Sequence, residues 1–157
     1  MILFFVLLQF VLLLFMIFHD WLPVPPFNDV ATIKIHDSNF YRFLGSVING
    51  VTVLVPLIIT LIYYHEPYLP LSASITLVSF YFILTIGTIL SWWTPYFFGS
   101  SQKHKQALIK FKNTHHFLPT RGDNVIPNTL HVVLHLQVWI CLIISIYLLI
   151  TTLVNFK

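Results

Sequence analysis

Residues 1–21 read MILFFVLLQFVLLLFMIFHDW, and the fold turns on whether this segment is a membrane span or a secretory leader. A leader has a positive residue ahead of its apolar stretch and a small-residue cleavage site after it, and this segment has neither. As a helix, the run from Met1 to Trp21 would rise roughly 30 Å, about the hydrocarbon thickness of a bilayer. Trp21 then falls where indole rings favour the head-group region. The segment is expected to be a retained transmembrane helix over about residues 1–20.

Three more apolar runs repeat that reading. They are FYRFLGSVINGVTVLVPLIITLIYY at 40–64, SASITLVSFYFILTIGTILSWW at 72–93 and TLHVVLHLQVWICLIISIYLLITTL at 129–153. None carries a charge deeper than its first turn, and each is long enough to span. The whole chain of 157 residues is 57% hydrophobic and 8% charged. A soluble domain has about a quarter of its residues charged, so this chain lacks the polar surface to stay in water. The length allows one domain. The expected fold is an all-α, polytopic integral membrane protein, a four-transmembrane-helix bundle with a short interfacial amphipathic helix. The single cysteine, Cys141, excludes an internal disulfide and lies in an apolar run, where a buried, inert thiol is expected.

Basic residues set the expected orientation. The loops 21–39 and 94–128 share one side, which with the boundary residue Arg42 holds Lys34, Lys103, Lys105, Lys110, Lys112 and Arg121. The other side has the turn HEPYLPLS and Lys157. The two loops are therefore expected to be cytoplasmic and both termini outside, with a bacterial plasma membrane as the default location. Within KHKQALIKFK at 103–112, His104, Ala107, Leu108 and Phe111 fall on one helical face. Lys103, Lys105, Lys110 and Lys112 flank that strip, as suits a helix in the head-group plane contacting anionic lipid. Nucleic acid is not an expected partner for so short a segment. Membrane lipids, further copies of the chain or other membrane subunits are.

Local signals place helix ends. Pro23, Pro25 and Pro26 stop the first helix, because proline removes a donor and disfavours α geometry before it. Asp37 or Ser38 caps the second, and Asn128 or Thr129 the fourth. Pro56 should kink the second span, and Gly45 and Gly50 suggest close packing below it.

The polar chemistry concentrates at 113–135, NTHHFLPTRGDNVIPNTLHVVLH. His131 and His135 are one turn apart, so both project from one face of the last span. An ionisable group facing lipid is costly, so that face should look into the bundle. His115, His116, Arg121, Asp123 and Asn128 precede it. The first helix ends on His19 and Asp20, the next loop adds Asn28 and Asp29, and Ser74, Tyr81, Thr85, Thr88 and Trp92 form a polar stripe on the third span.

Three chemistries suit such a cluster. A divalent metal such as zinc could take His131 and His135, with Asp20 or His115 completing the shell. A polar lipid head group or small anion could sit on Arg121, the lysines and the donors at the start of the last helix. Proton transfer or conduction in an oligomer could use His131, His135 and Glu66. The function expected from the sequence is a binding site at the cytoplasmic mouth for a polar lipid head group or a metal ion. Its candidate residues are His131, His135, His115, His116, Asp20, His19, Arg121 and Asn128. The competing expectation is a non-catalytic membrane subunit or an oligomeric channel, in which the histidines are buried hydrogen-bond partners. No P-loop, GxSxG or dinucleotide fingerprint is present.

Overall fold

The computed structural model describes residues 1–155, so Lys157, the one basic residue assigned to the far side, lies outside the described residues. All regular structure among them is helical. The elements are α1 (Ile2–Phe18), α2 (Val30–His36), α3 (Asn39–Ile62), α4 (Leu71–Thr88), α5 (Thr94–Phe98), α6 (Gln102–Leu108) and α7 (Thr129–Asn155). A π-helical turn, Ile89–Trp93, joins α4 to α5, and a 3₁₀ turn, Ile109–Phe111, extends α6.

Three stretches are long and apolar enough to cross a membrane: Asn39–Ile62, the continuous Leu71–Phe98 and Thr129–Asn155. The first helix is equally apolar but has only 17 residues. At 1.5 Å per residue it rises about 25 Å, short of the ~20 residues a perpendicular crossing needs. Of the four expected spans, three reach crossing length. The helix ends before the prolines because the chain turns at His19–Trp21, where the Trp21 and Leu22 amides bond back to the Phe18 carbonyl.

The sequence reading gave no helix to the 21–39 loop. The 21–39 loop contains α2, nucleated by Asp29: its carboxylate accepts the Thr32 amide at 3.1 Å and the Thr32 hydroxyl at 2.5 Å. Helix α2 then buries Val30 and Ile33. Ser38 caps α3 by accepting the Tyr41 amide.

The most extensive pairing is α4 against α7, followed by α1 against α3, and α1 also packs on α7. Phe5, Leu12, Val53, Leu77, Tyr81, Val138 and Cys141 meet in the core between them. Sparse polar ties cross these seams. The Gln137 amide donates to the Leu8 carbonyl at 2.7 Å, and the Ser74 and Thr152 hydroxyls pair at 3.1 Å. Both the Gln9 amide and the Thr60 hydroxyl donate to the carbonyl of Pro56. The outward residues are apolar as well, among them Leu3, Phe4, Leu7, Ile83, Ile143 and Ile150. A helical body that is greasy on both faces matches a lipid solvent.

A second, smaller core closes one end. Ile33 of α2, Trp92 of the π turn and Phe111 pack together, with Leu108 and Val125 against them. This cap holds α2, α5, α6 and the return segment 112–128.

Candidate functional site

The last helix begins on a chain of hydrogen bonds whose every donor has a direction. The Thr114 hydroxyl donates to the Phe111 carbonyl at 2.6 Å, and the Asn128 amide donates to Thr114 Oγ1 at 2.9 Å. The Asn128 carbonyl oxygen then accepts both the His131 backbone N–H at 2.9 Å and His131 Nδ1–H at 2.7 Å. Asn128 is thus the cap of α7, and it fixes the His131 proton on Nδ1.

His131 and His135 are both buried, and their ring centroids lie 6.2 Å apart. Trp92 lies against His131 with centroids 4.2 Å apart, Phe111 abuts the same ring at 4.7 Å, and His19 approaches edge-on at 6.4 Å. Trp92 and Trp93 flank His135 at 6.1 and 6.2 Å. Successive tryptophans on an α-helix would diverge by about 100°. Here they fall in the i→i+5 turn Ile89–Trp93, and both rings reach His135 on α7. The polar stripe expected on the third span runs down the same seam, with Thr88 accepting the Trp139 indole N–H at 3.3 Å.

The first-helix corner reaches this cluster. His19 Nδ1–H donates to the Phe15 carbonyl at 3.1 Å, and its Nε2 lies 3.3 Å from the Asp20 carboxylate. Asn28 ties the corner shut by donating to the His19 and Leu22 carbonyls. The expected metal set of His131, His135 and Asp20 is nevertheless not assembled. Among the described residues no three His, Cys, Asp or Glu side chains form a group able to hold a metal ion. Asp20 is turned to His19, and aromatic rings occupy the space around the two imidazoles.

The remaining expected residues scatter. His115 Nδ1 pairs with the Thr129 hydroxyl at 2.7 Å, and its backbone bridges Pro26 and Thr129. Arg121 is away from the histidines, its guanidinium over the rings of Tyr96 and Phe97 at 5.4 and 4.9 Å. Lys110 pairs with Asp37, tying the 3₁₀ turn after α6 to the end of α2. His116 Nε2–H donates to the Phe111 carbonyl at 3.1 Å.

Beside His116 opens a cleft of about 820 Å³. Lys105, Lys112, His116 and Asp123 supply its charged and titratable wall, and Phe111 and Val125 belong to its apolar lining. Lys103 stays exposed on the outer side of α6. At the start of α2, Asp29 has its carboxyl held below the usual carboxylate range, first by the Thr32 hydroxyl and then by the Thr32 amide.

No family model, curated protein or solved structure matches this chain. The functional reading therefore rests on its own residues.

One residue mattered more than its place in the sequence suggested. Arg42, read there only as a boundary charge, is buried with 2% of its surface exposed. It donates to Asn39 Oδ1 at 3.0 Å and to the Asp20 carbonyl, and its guanidinium lies 4.1 Å from the centre of the Trp21 ring. An arginine one turn inside an apolar run was the available signal, since such residues mark sites by default.

Proposed function

We propose that the chain is a four-span membrane protein that binds the polar head group of a membrane lipid in the cap cleft, with the cap on the cytoplasmic side. One observation carries this reading: Lys105, Lys112 and Asp123 line one cleft together with apolar residues such as Phe111 and Val125, at the end of helices clad in apolar side chains. A phosphate would meet the two ammonium groups, and an amine or hydroxyl on the same head group would meet the carboxylate. Four crossings suit the first helix because Leu3, Phe4, Leu7, Phe10 and Leu14 are exposed along it, an apolar face that water would not solvate. Its shortfall in length is small enough for local bilayer thinning.

The test is titration of the detergent-purified protein with glycerophosphoethanolamine and with glycerophosphate. K105A/K112A should weaken both by about tenfold or more, as loss of charged hydrogen bonds does. D123N should weaken only the amine-bearing compound. Equal binding by wild type and both variants would remove the proposal.

A second reading is favoured by a different observation. The closed aromatic packing around His131 and His135 suits a structural membrane subunit, in which these rings hold α7 to the cap. Under that reading H131Q/H135Q destabilises the protein without any change in head-group affinity of the folded fraction.

A further inference from the structure

Arg42 is a buried cation with no carboxylate to balance it among the described residues. Asp20 gives it a backbone carbonyl while its carboxylate faces His19, and Asp37 is paired with Lys110. Its Nε–H is buried and has no partner among the described residues. Removing a charge from water without a counter-charge is costly, so a site that keeps one is set up for an anion.

Two hollows meet at Trp21, the ring against which this guanidinium lies. One is a polar cleft of about 460 Å³ lined by Trp21, Lys34, Asp37, Ser38, Asn39 and Arg42. The N-terminus of the 24-residue α3 opens into it, adding backbone donors and the positive end of the helix dipole. The other is an apolar groove of about 630 Å³ between α1 and α3, running past Phe43, Val47 and Gly50 to Leu54. From Phe43 to Leu54 the helix rises about 16 Å, the reach of a medium-length acyl chain. Trp21 borders both hollows, held in place by its indole N–H donating to Ser46 Oγ at 2.8 Å. A cationic seat at the head of an apolar trough has the chemistry of an anionic amphiphile.

We infer that the Arg42 cleft and the α1–α3 groove together form a seat for one phosphate-headed lipid, its head on Arg42, Lys34 and the start of α3 and one tail along Val47 and Gly50. The site is separate from the cap cleft and stands or falls without it. The Lys110–Asp37 pair has a role here: by engaging Asp37, it keeps a carboxylate in the same cleft from competing for the cation.

The measurement is native mass spectrometry of the full chain in detergent, in a K105A/K112A background so that the cap cleft contributes nothing. The probes are dioctanoyl phosphatidic acid, dioctanoylglycerol and inorganic phosphate. One phosphatidic acid should be retained per chain, with dioctanoylglycerol and phosphate each held at least tenfold more weakly, since each keeps half of the recognition. R42Q should weaken phosphatidic acid by about tenfold, the usual worth of a charge-assisted contact. V47W, which fills the groove from its exposed wall and leaves Arg42 in place, should weaken it similarly. Phosphatidic acid binding unchanged in V47W overturns the inference even if R42Q does not fold. So does phosphate binding as tightly as the lipid, or a groove occupied by a second copy of the chain, seen as a dimer that phosphatidic acid does not dissociate.

Discussion

The indole of Trp92 lies against the imidazole of His131 with ring centroids 4.2 Å apart and planes tilted by 32°. This contact joins the π turn after α4 to the start of α7 and also presses on Phe111, so one residue touches the long-helix body and the cap core at once. W92A should therefore uncouple the two. Removal of a buried tryptophan costs about 3–5 kcal/mol, whereas W92F keeps a ring in place and should cost much less. Thermal unfolding of the two variants in the same detergent decides it, and a W92A melting temperature equal to that of wild type would contradict the assignment.

Asn128 offers a finer probe, because it makes both the helix cap and the link to Thr114. N128A removes the acceptor of two His131 donors and the donor to Thr114, for about 1–3 kcal/mol. N128D keeps the acceptor and loses only the donor, so its stability should fall between those of N128A and wild type. Nitrogen-15 NMR of labelled histidine gives a second readout. His131 should report a proton on Nδ1 in wild type, and N128A should shift that population toward Nε2.

Much of the fold could be read from the sequence because helices long and apolar enough to cross a membrane announce themselves by length and by lack of charge. The ends of α3 and α7 fell within two residues of the expected spans. The cap could not be read in the same way. Helix α2 has seven residues, too few for a periodic signal, and it exists because Asp29 and Thr32 close its first turn. The site behaved likewise. Sequence spacing correctly places His131 and His135 one turn apart on α7, but not what faces them, and the facing groups are tryptophans rather than a metal-binding carboxylate. Arg42 drew attention only for its charge, since its burial depends on Trp21, from the far side of the α2 loop.

The Asp29 cap makes a pH prediction. Hydrogen bonds from Thr32 lower the folded carboxyl's pKa below its ordinary 3.8. A carboxylate depressed by folding contributes stability that is fully present above its unfolded pKa and is lost as pH falls through the folded one. Helix α2 should thus loosen only below about pH 4. T32V removes the first cause of the shift and should flatten this acid-sensitive component. Amide exchange of residues 30–36, followed from about pH 6 to about pH 3, tests it, and a transition near pH 6 would point to another group.

Gly50 sets the distance between α1 and α3. A Cβ placed on it would lie 2.9 Å from Ile17 Cγ1, closer than side-chain carbons normally approach, while Gly45 has open space around it. The contact is with a side chain, so some relief by rotation is available, and G50A should cost about 1–3 kcal/mol, as overpacking does. G45A, in open space, should instead gain a few tenths of a kcal/mol from better helix propensity. The compensating change is at Ile17: I17A opens a cavity alone, but combined with G50A it removes the clash. In a double-mutant cycle, I17A/G50A should then be more stable than the sum of the single effects by at least about 0.5 kcal/mol, the coupling typical of residues in direct contact. Additive effects would mean that α1 does not rest on α3 at this point, and the groove beside Gly50 would lose its wall.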